Sequence, residues 1–333
     1  MSQNYIYKFI WILQKFFKRN IKFISTVNKS VSFRKSQINT AIIYKKTAEK
    51  LIFHNYKTNF NHKRAIFGLK NVFLNPKSGV VWFNNKIVEE STVWQVSNLY
   101  KWEPRPIYAR RLSGRFTCLP DNGYFHFVTE DLPRFIDVIN LKTDFVTIYG
   151  SNSKYVLSAL KILNIENPLF LGHPAKCEEV IISEKSIGGI FSSIDRKKLL
   201  SFSKNIIPIY KYDKIFISRK YFSNGMTKRI AGEVSKIESL FTKQAFKVIY
   251  FEDLDFSTQI SLAKGASVIA GIHGAGLANL VWNPSRCKII EVSESRITSH
   301  FSYLANVCNH SYLFFKSSEL QNYSKKEFSD LIS

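Results

Sequence analysis

From about residue 121 to the C-terminus, short apolar runs alternate with longer segments whose apolar residues are three or four positions apart. Runs of the first kind are typical of buried strands, and the spacing in the second is typical of helices that bury one face. The predicted strands are 145–149, 180–182, 214–218, 246–251, 267–272, 288–292 and 312–315. The predicted helices are 154–163, 227–241, 256–263, one that starts at residue 276, and 300–308. This alternation predicts parallel βαβ units and a doubly wound α/β sheet.

The chain before residue 121 is patterned differently. Three short apolar runs, separated by turn-forming residues, predict a small antiparallel β element. The runs are 65–67, 72–74 and 80–83. We therefore expect a basic N-terminal segment over 1–64, a first α/β domain over 65–205 and a second over 206–333, with the junction near residues 201–212.

Residues 5–19 combine bulky apolar side chains with cations. On a helix, four apolar side chains would share one face and three cations would lie on the flank beside it. These are Phe9, Ile12, Leu13, Phe16, Lys8, Lys15 and Arg19. The pattern is typical of a basic helix that lies on an anionic membrane surface. A helix that docks on the protein's own body would fit it as well.

The chain of 333 residues has a formal net charge of +23, with 45% apolar residues. The apolar share is enough for both domains to bury a core, and the charge favours an anionic partner such as nucleic acid, acidic lipid, a nucleotide or an acidic glycan. The mutational bias of an AT-rich genome would also raise the charge. A nucleic-acid-binding protein without enzymatic activity is the alternative that the charge supports. The cations are dispersed and form no recognised module, so we expect no nucleic-acid partner.

The cysteine spacing and the most apolar window argue against a zinc or disulfide protein and against a membrane-spanning one. The four cysteines contain no CxxC pair, which predicts free buried thiols and neither a zinc site nor a disulfide framework. The most apolar window, 267–282, is interrupted by glycines and a histidine and is shorter than the ~20 residues that a membrane span needs.

Candidate binding residues follow the predicted strands of the C-terminal half. In open parallel sheets, ligands bind at the carboxyl ends of the strands. Arg219 and Lys220 follow one strand, His273 follows another, and Glu291 lies near the end of a third. A guanidinium can hold a diphosphate, and a carboxylate can accept hydrogen bonds from ribose hydroxyls. The alternatives are an ordinary surface arginine and a buried ion pair.

A glycine-rich turn, His273-Gly274-Ala275-Gly276, joins a predicted strand to a predicted helix. Glycines allow the backbone to approach a ligand closely, and the start of the helix offers unpaired N–H groups to a pyrophosphate. A tight strand-to-helix turn without a ligand would have the same composition. The spacing matches neither the dinucleotide fingerprint, nor the phosphate loop, nor the nucleophile elbow of serine hydrolases.

A second group of candidates lies in the N-terminal half. If 124–131 is helical, His126 and Glu130 are four residues apart and share a face, next to Asp131. One of these side chains could take the proton from an acceptor hydroxyl. Alternatively, Glu130 and Asp131 cap or solvate a helix, with Arg134 as their ion-pair partner.

The motifs GIHGAGLANLVWNPSRCKIIEV (271–292), YFHFVTEDLPRF (124–135) and KIFISRK (214–220) together resemble glycosyltransferase family 61. A weaker similarity includes residues 71–91, and the resemblance extends over roughly 65–315. The family usually has Pro-Gly where this chain has Pro284-Ser285, so that loop is expected to differ in shape.

The resemblance implies two Rossmann-like domains facing across a cleft, the GT-B arrangement, here with a short N-terminal basic helix and a small β element. It implies inverting transfer, usually from a UDP-sugar, without an obligatory metal or other cofactor. Such enzymes add sugars to a glycan or a lipid-linked glycan, as in bacterial capsular polysaccharide or lipopolysaccharide synthesis, and we expect a cytoplasmic protein peripheral on the inner face of the plasma membrane. The donor-site residues that it implies are Arg219, Lys220, His273, Gly274, Ala275, Gly276, Asn279 and Glu291. The candidates for the catalytic base are His126, Glu130 and Asp131.

Overall fold

A computed structural model describes part of the chain and divides it into two compact units. The described residues are 23–24, 64, 66–83, 86–88, 91, 109–141, 144–184, 191–219, 234–293, 300–320 and 328–330. The helix predicted over 5–19, most of the basic segment over 1–64, and Lys220 lie outside them. Of the described residues, the first unit contains those up to 156 and those from 164 to 184, and the second contains 157–163 and those from 191 onward.

The first unit has an eight-stranded mixed sheet in the order β1-β4-β3-β2-β8-β5-β6-β7. Its strands are β1 (Phe23–Ile24), β2 (Ile66–Leu74), β3 (Val81–Phe83), β4 (Lys86–Val88), β5 (Arg110–Leu119), β6 (Val146–Tyr149), β7 (Leu169–Phe170) and β8 (Ala175–Ser183). β2 pairs antiparallel with β8 from Ile66 to Leu74. β2 also pairs antiparallel with β3, and β3 with β4, which confirms the predicted antiparallel element. The pairing of β2 with β8 joins this element to the main sheet.

The parallel part of this sheet has the order β7-β6-β5-β8. This is the 3-2-1-4 part of a doubly wound strand order, in which ligands bind where the order reverses, between the first and fourth strands. That point lies here at the carboxyl ends of β5 and β8. Among the described residues, the helices of this unit are α1 (Tyr124–His126), a π-helix (Phe127–Asp131) and α2 (Leu132–Ile139). Helix α3 (Lys154–Ile162) begins in this unit, and its residues from 157 are assigned to the second.

The second unit has a fully parallel five-stranded sheet in the order β10-β9-β11-β12-β13. Its strands are β9 (Lys214–Ser218), β10 (Lys247–Tyr250), β11 (Val268–Ile272), β12 (Lys288–Val292) and β13 (Ser311–Phe315). Its helices are α4 (Ser193–Phe202), α5 (Val234–Thr242), α6 (Phe256–Gly265), α7 (His300–Val307), α8 (Ser317–Leu320) and two 3₁₀-helices, Phe251–Asp253 and Ala275–Trp282. The predicted parallel βαβ order is confirmed here. The helix after the glycine-rich turn is a 3₁₀-helix.

The core explains why these segments fold as they do. All five residues of β11 are buried, as expected for a central parallel strand covered on both faces. On α5, Ile237 and Phe241 face the sheet, and Phe241 stacks on Phe216 of β9 with ring centroids 4.4 Å apart. The side chain of Asp255 caps α6 by accepting from the Thr258 amide.

The division between the units falls at residues 190–191, not near 201–212 as the sequence predicts. Helix α4 belongs to the second unit because its contacts are there. The ring of Phe202 packs against Phe256 and Trp282, and the guanidinium of Arg196 donates to the carbonyl of Asn283.

Other expectations can be compared directly with the described residues. All four cysteines are free thiols, and Cys177, Cys287 and Cys308 are buried. Within the described part of the chain, no helix has the length and apolar character of a membrane span.

Candidate functional site

The carboxyl ends of the strands in the second unit meet at one edge of the sheet. Parallel pairing aligns Tyr250 with Ser218 and Ile272 with Val292. The strand order is 2-1-3-4-5, for which the ligand crevice lies between the first and third strands. Those strands are β9 and β11, so the residues that follow them, Arg219 and His273, flank the crevice.

The glycine-rich turn packs unusually closely on β9. A β-carbon on Gly276 would lie 2.9 Å from the Cγ2 atom of Ile217, and one on Gly274 would overlap the guanidinium of Arg219. The absence of a side chain at Gly274 therefore lets the half-buried Arg219 lie against the turn. Ala275 and Gly276, at the start of the 3₁₀-helix, are partly exposed, so their backbone is accessible to a ligand.

His273 is held by a buried carboxylate. Its Nδ1 atom is hydrogen-bonded to Oε1 of Glu291, whose Oε2 atom accepts from the hydroxyl of Tyr312. Burial and the negative charge and hydrogen bond of Glu291 raise the pKa of Tyr312, so the phenol remains a donor. The side chain of His273 is 18% exposed, and because Nδ1 is occupied, Nε2 is the nitrogen left for a ligand.

Two of the predicted donor-site residues lie behind the exposed part of the turn. Glu291 is fully buried, with Oε1 bonded to His273 and Oε2 to Tyr312, so it positions His273. Its contact with ribose hydroxyls stays a prediction. Asn279 is also fully buried, and its amide donates to the carbonyl of Gly276 at 2.9 Å. The side chain of Asn279 therefore stabilises the glycine-rich turn from its buried side.

In the first unit, a partly buried hydrogen-bond network joins the carboxyl ends of β5 and β6. Asp121 accepts from the hydroxyls of Ser151, Ser153 and Tyr155 and from the amide of Gly123. Burial raises the pKa of Asp121, but these four hydrogen bonds outweigh it and the net pKa is lowered. Gly123 has φ 90°, a left-handed conformation that favours glycine, and α1 begins at the next residue.

The predicted pair joins the end of α1, where His126 lies, to the π-helix, which contains Glu130. The Nδ1 atom of His126 lies 2.6 Å from Oε1 of Glu130, which confirms that the two side chains share a face. His126 is 19% exposed and Glu130 only 2%, so the histidine is the accessible member. π-helical turns are rare and are frequent at functional sites.

Asp131 is buried beside this pair. It accepts hydrogen bonds from the side chain of Asn122 at 3.1 Å and from the Asn122 amide at 3.3 Å. Burial raises the pKa of Asp131 to about 7. The positive charge of Arg134 opposes this shift, and the negative charge of Glu130 adds to it. Glu130 and Asp131 do not solvate a helix, as one alternative predicts, because each residue is only 1% exposed overall. The Arg134 partner of that alternative is supported for Asp131, on which its charge acts.

Burial lowers the pKa of His126, but the hydrogen bond and charge of Glu130 and the charge of Asp131 outweigh it, so the net pKa is raised. A histidine whose orientation is fixed by a carboxylate through Nδ1 presents Nε2 as a general base when it is neutral. In the described residues, no group of three or more His, Cys, Asp or Glu side chains is arranged to hold a metal ion.

Sequence reasoning missed two residues of these sites, Tyr312 and Asp121. Tyr312 interrupts an otherwise apolar strand with a hydroxyl, which was the available signal. Asp121 lies in a segment that reads simply as a turn, and its partners are 30 to 34 residues away.

The second unit has an arginine and a glycine-rich turn at the carboxyl edge of its parallel sheet, and the first unit has a histidine–carboxylate pair in the helices that follow β5, as in many α/β enzymes. The model of the family described as Glycosyltransferase 61 matches residues 124–290, half of the chain, from the start of α1 almost to Glu291. A search of curated proteins gave no match. The chain belongs to glycosyltransferase family 61, and it is a glycosyltransferase that uses a sugar donor and an acceptor.

Glu130→Gln should lower the pKa of His126, because it removes the carboxylate charge that raises the pKa and leaves the burial that lowers it. The measurement is an NMR titration of isotope-labelled histidines, with the His126 signal assigned by His126→Gln. Glu166→Gln removes an exposed carboxylate from the same unit and serves as the control. A His126 titration that is equal in the wild type and Glu130→Gln would contradict the described pair.

Proposed function

We propose that this glycosyltransferase transfers a sugar with inversion from a nucleoside diphosphate donor, UDP-linked by the family resemblance, to a hydroxyl of a glycan or lipid-linked glycan. The observation that supports this most is the guanidinium of Arg219 lying against Gly274 at the crevice between β9 and β11. A pyrophosphate needs a planar cationic donor and accessible backbone N–H groups together, and this crevice has both.

In this proposal the protein itself neutralises the leaving diphosphate. Arg219 provides a forked cation and the first turn of the 3₁₀-helix provides backbone N–H groups. Since Nδ1–H of His273 is directed to Glu291, the protonated imidazole adds a second charged donor through Nε2. These groups supply the positive charge that a divalent metal supplies in other transferases, which is why we propose metal-independent transfer.

His126 is the proposed catalytic base. In a single displacement, the acceptor hydroxyl attacks C1 of the donor sugar, the C1–O bond to the diphosphate breaks, and the hydroxyl proton moves to Nε2 of His126. Of the three candidates, His126 is the accessible one, because Glu130 and Asp131 are buried. Glu130 then positions the imidazole and stabilises its cation.

We further propose that the protein works at the cytoplasmic face of a bacterial membrane, in surface polysaccharide synthesis. The support is in the sequence. The first 64 residues contain 14 Lys and Arg against a single Glu, and residues 5–19 have the pattern of an interfacial helix. Such a segment would hold the enzyme close to lipid-linked acceptors.

Arg219→Ala should weaken UDP binding about hundredfold, since a bidentate contact between charged groups is lost. Gly274→Ala should weaken it as well, because the new methyl group displaces the guanidinium. In an Arg219→Ala background, Gly274→Ala should add little further loss. Isothermal titration calorimetry measures the UDP affinity of the wild type, the two single variants and the double variant. The control is Arg286→Ala, which removes an exposed arginine from the same unit. Unchanged UDP affinity in Arg219→Ala would remove Arg219 from the donor site.

His126→Gln should reduce kcat by about 10²- to 10⁴-fold while UDP affinity stays at the wild-type value, because only proton transfer is lost. Below the raised pKa of His126 the wild-type rate should fall, since the base becomes protonated. Steady-state rates of sugar transfer across pH measure both effects. A kcat in His126→Gln within a few-fold of the wild-type value would exclude His126 as the base.

Deletion of residues 1–19 should abolish binding to vesicles that contain anionic lipid. Vesicle flotation measures this, with neutral phosphatidylcholine vesicles as one control. A full-length variant with Lys8, Lys15, Lys18 and Arg19 changed to Gln is the matched control for charge. If the truncated protein still floats with anionic vesicles, residues 1–19 are not the membrane-binding segment.

A further inference from the structure

A carboxylate with one open oxygen lies beside the proposed diphosphate crevice. Glu238, on α5, accepts through Oε1 from the hydroxyl of Ser218 and, at 2.7 Å, from the hydroxyl of Tyr250. Ser218 is the last residue of β9, directly before Arg219, and Tyr250 is the last residue of β10. Two strand ends therefore fix the Glu238 side chain at the ligand-binding edge of the sheet.

The second oxygen of Glu238 is available to a ligand. Among the described residues, no donor is hydrogen-bonded to Oε2, and Glu238 is only half-buried. The hydrogen bond to Glu238 raises the pKa of Tyr250, with smaller contributions from burial and from the Glu238 charge, so Tyr250 remains a donor to Oε1. An ionised carboxylate fixed in this way only accepts hydrogen bonds, and it suits a ligand with neighbouring hydroxyl groups.

The position of Glu238 fits the length of a nucleotide. Neighbouring strands are about 4.8 Å apart, so a group held at the ends of β9 and β10 lies roughly one strand spacing from the crevice between β9 and β11. In a nucleoside diphosphate the ribose follows the phosphates at a similar spacing. The carboxylate on the other side of the crevice, Glu291, is fully buried and each of its oxygens already has a partner in the protein, so Glu238 is the more accessible of the two.

We propose that Oε2 of Glu238 accepts the ribose hydroxyls of the donor nucleotide and makes the site selective for ribonucleotides over deoxyribonucleotides. This inference rests on the proposed function, because it requires a nucleoside diphosphate in the crevice. It extends the donor site from β9 and β11 to the edge strand β10.

Another carboxylate lies near this edge and provides a matched control. Glu252 is in the 3₁₀-helix directly after β10, is exposed, and its charge acts on Tyr250. No hydrogen bond to Ser218 or Tyr250 fixes it in place. Glu252→Gln therefore removes a nearby negative charge and leaves the open oxygen of Glu238 intact.

The test compares the affinities of UDP and 2′-deoxy-UDP for the full chain by calorimetry. The wild type should bind UDP at least about tenfold more tightly than 2′-deoxy-UDP, which is the difference expected from a hydrogen bond to a charged group. The ratio should approach one in Glu238→Ala and stay at the wild-type value in Glu252→Gln. Glu238→Gln tests the same point with less risk to folding, since its amide oxygen can still accept from Ser218 and Tyr250 while an N–H₂ group replaces Oε2.

The outcomes separate this inference from the proposed function. If UDP binds and the preference for ribose persists in both Glu238 variants, or if the wild type has no such preference, the role of Glu238 is overturned and the diphosphate site is retained. Loss of the preference in Glu252→Gln would also overturn it. If neither nucleotide binds the wild type, the proposed function fails and this inference fails with it.

Discussion

In-register parallel pairing is the constraint on which both sites depend. Each parallel strand delivers its next residue to the same edge of the sheet, so Arg219 and His273 become neighbours although 53 residues intervene along the chain. Where the strand order reverses, helices leave to opposite faces and open a crevice between two strands. The second unit has this point between β9 and β11, and the first has it between β5 and β8. The polar residues of the second unit flank this point, and those of the first unit follow the carboxyl end of β5, one of the two strands at its reversal point.

Buried carboxylates fix the geometry at both edges. Glu130, Asp131 and Glu291 are each at most 1% exposed, and a buried charge is costly unless it is paired and hydrogen-bonded. Each carboxylate satisfies this requirement by fixing neighbouring groups: Glu291 fixes His273 and Tyr312, Glu130 fixes His126, and Asp131 fixes the Asn122 turn. Replacing a whole buried ion pair with apolar residues often costs little stability. The role of these carboxylates is therefore to hold reactive side chains in place.

Local signals in the sequence were enough for much of this arrangement. Strands β9, β11 and β12 were predicted to within a residue because each is a continuous apolar run bounded by polar or turn-forming residues. Arg219, His273 and Gly274 were predicted to lie together because they follow those strands. What was missed depends on remote partners. The pairing of β2 with β8 joins residues more than 100 positions apart, and the burial of Glu291 depends on Tyr312 in another strand. Likewise, α4 is assigned to the second unit by ring contacts with Phe256 and Trp282, which no local pattern encodes.

The two histidines have the same hydrogen-bonding pattern, yet the proposed mechanism asks opposite things of them. In each, an ionised glutamate can only accept, so Nδ1 carries the hydrogen and Nε2 faces outward. With this tautomer, a neutral imidazole has a lone pair on Nε2 and serves as a base, which is the state His126 needs. The same imidazole donates from Nε2 only when it is protonated, which is the state His273 needs next to a diphosphate. The ligand proposed for each unit sets the role of Nε2: phosphate oxygens accept a hydrogen bond from Nε2 of His273, whereas an acceptor hydroxyl gives its proton to Nε2 of His126. The same type of histidine–glutamate pair can therefore stabilise the leaving group in one unit and remove a proton in the other.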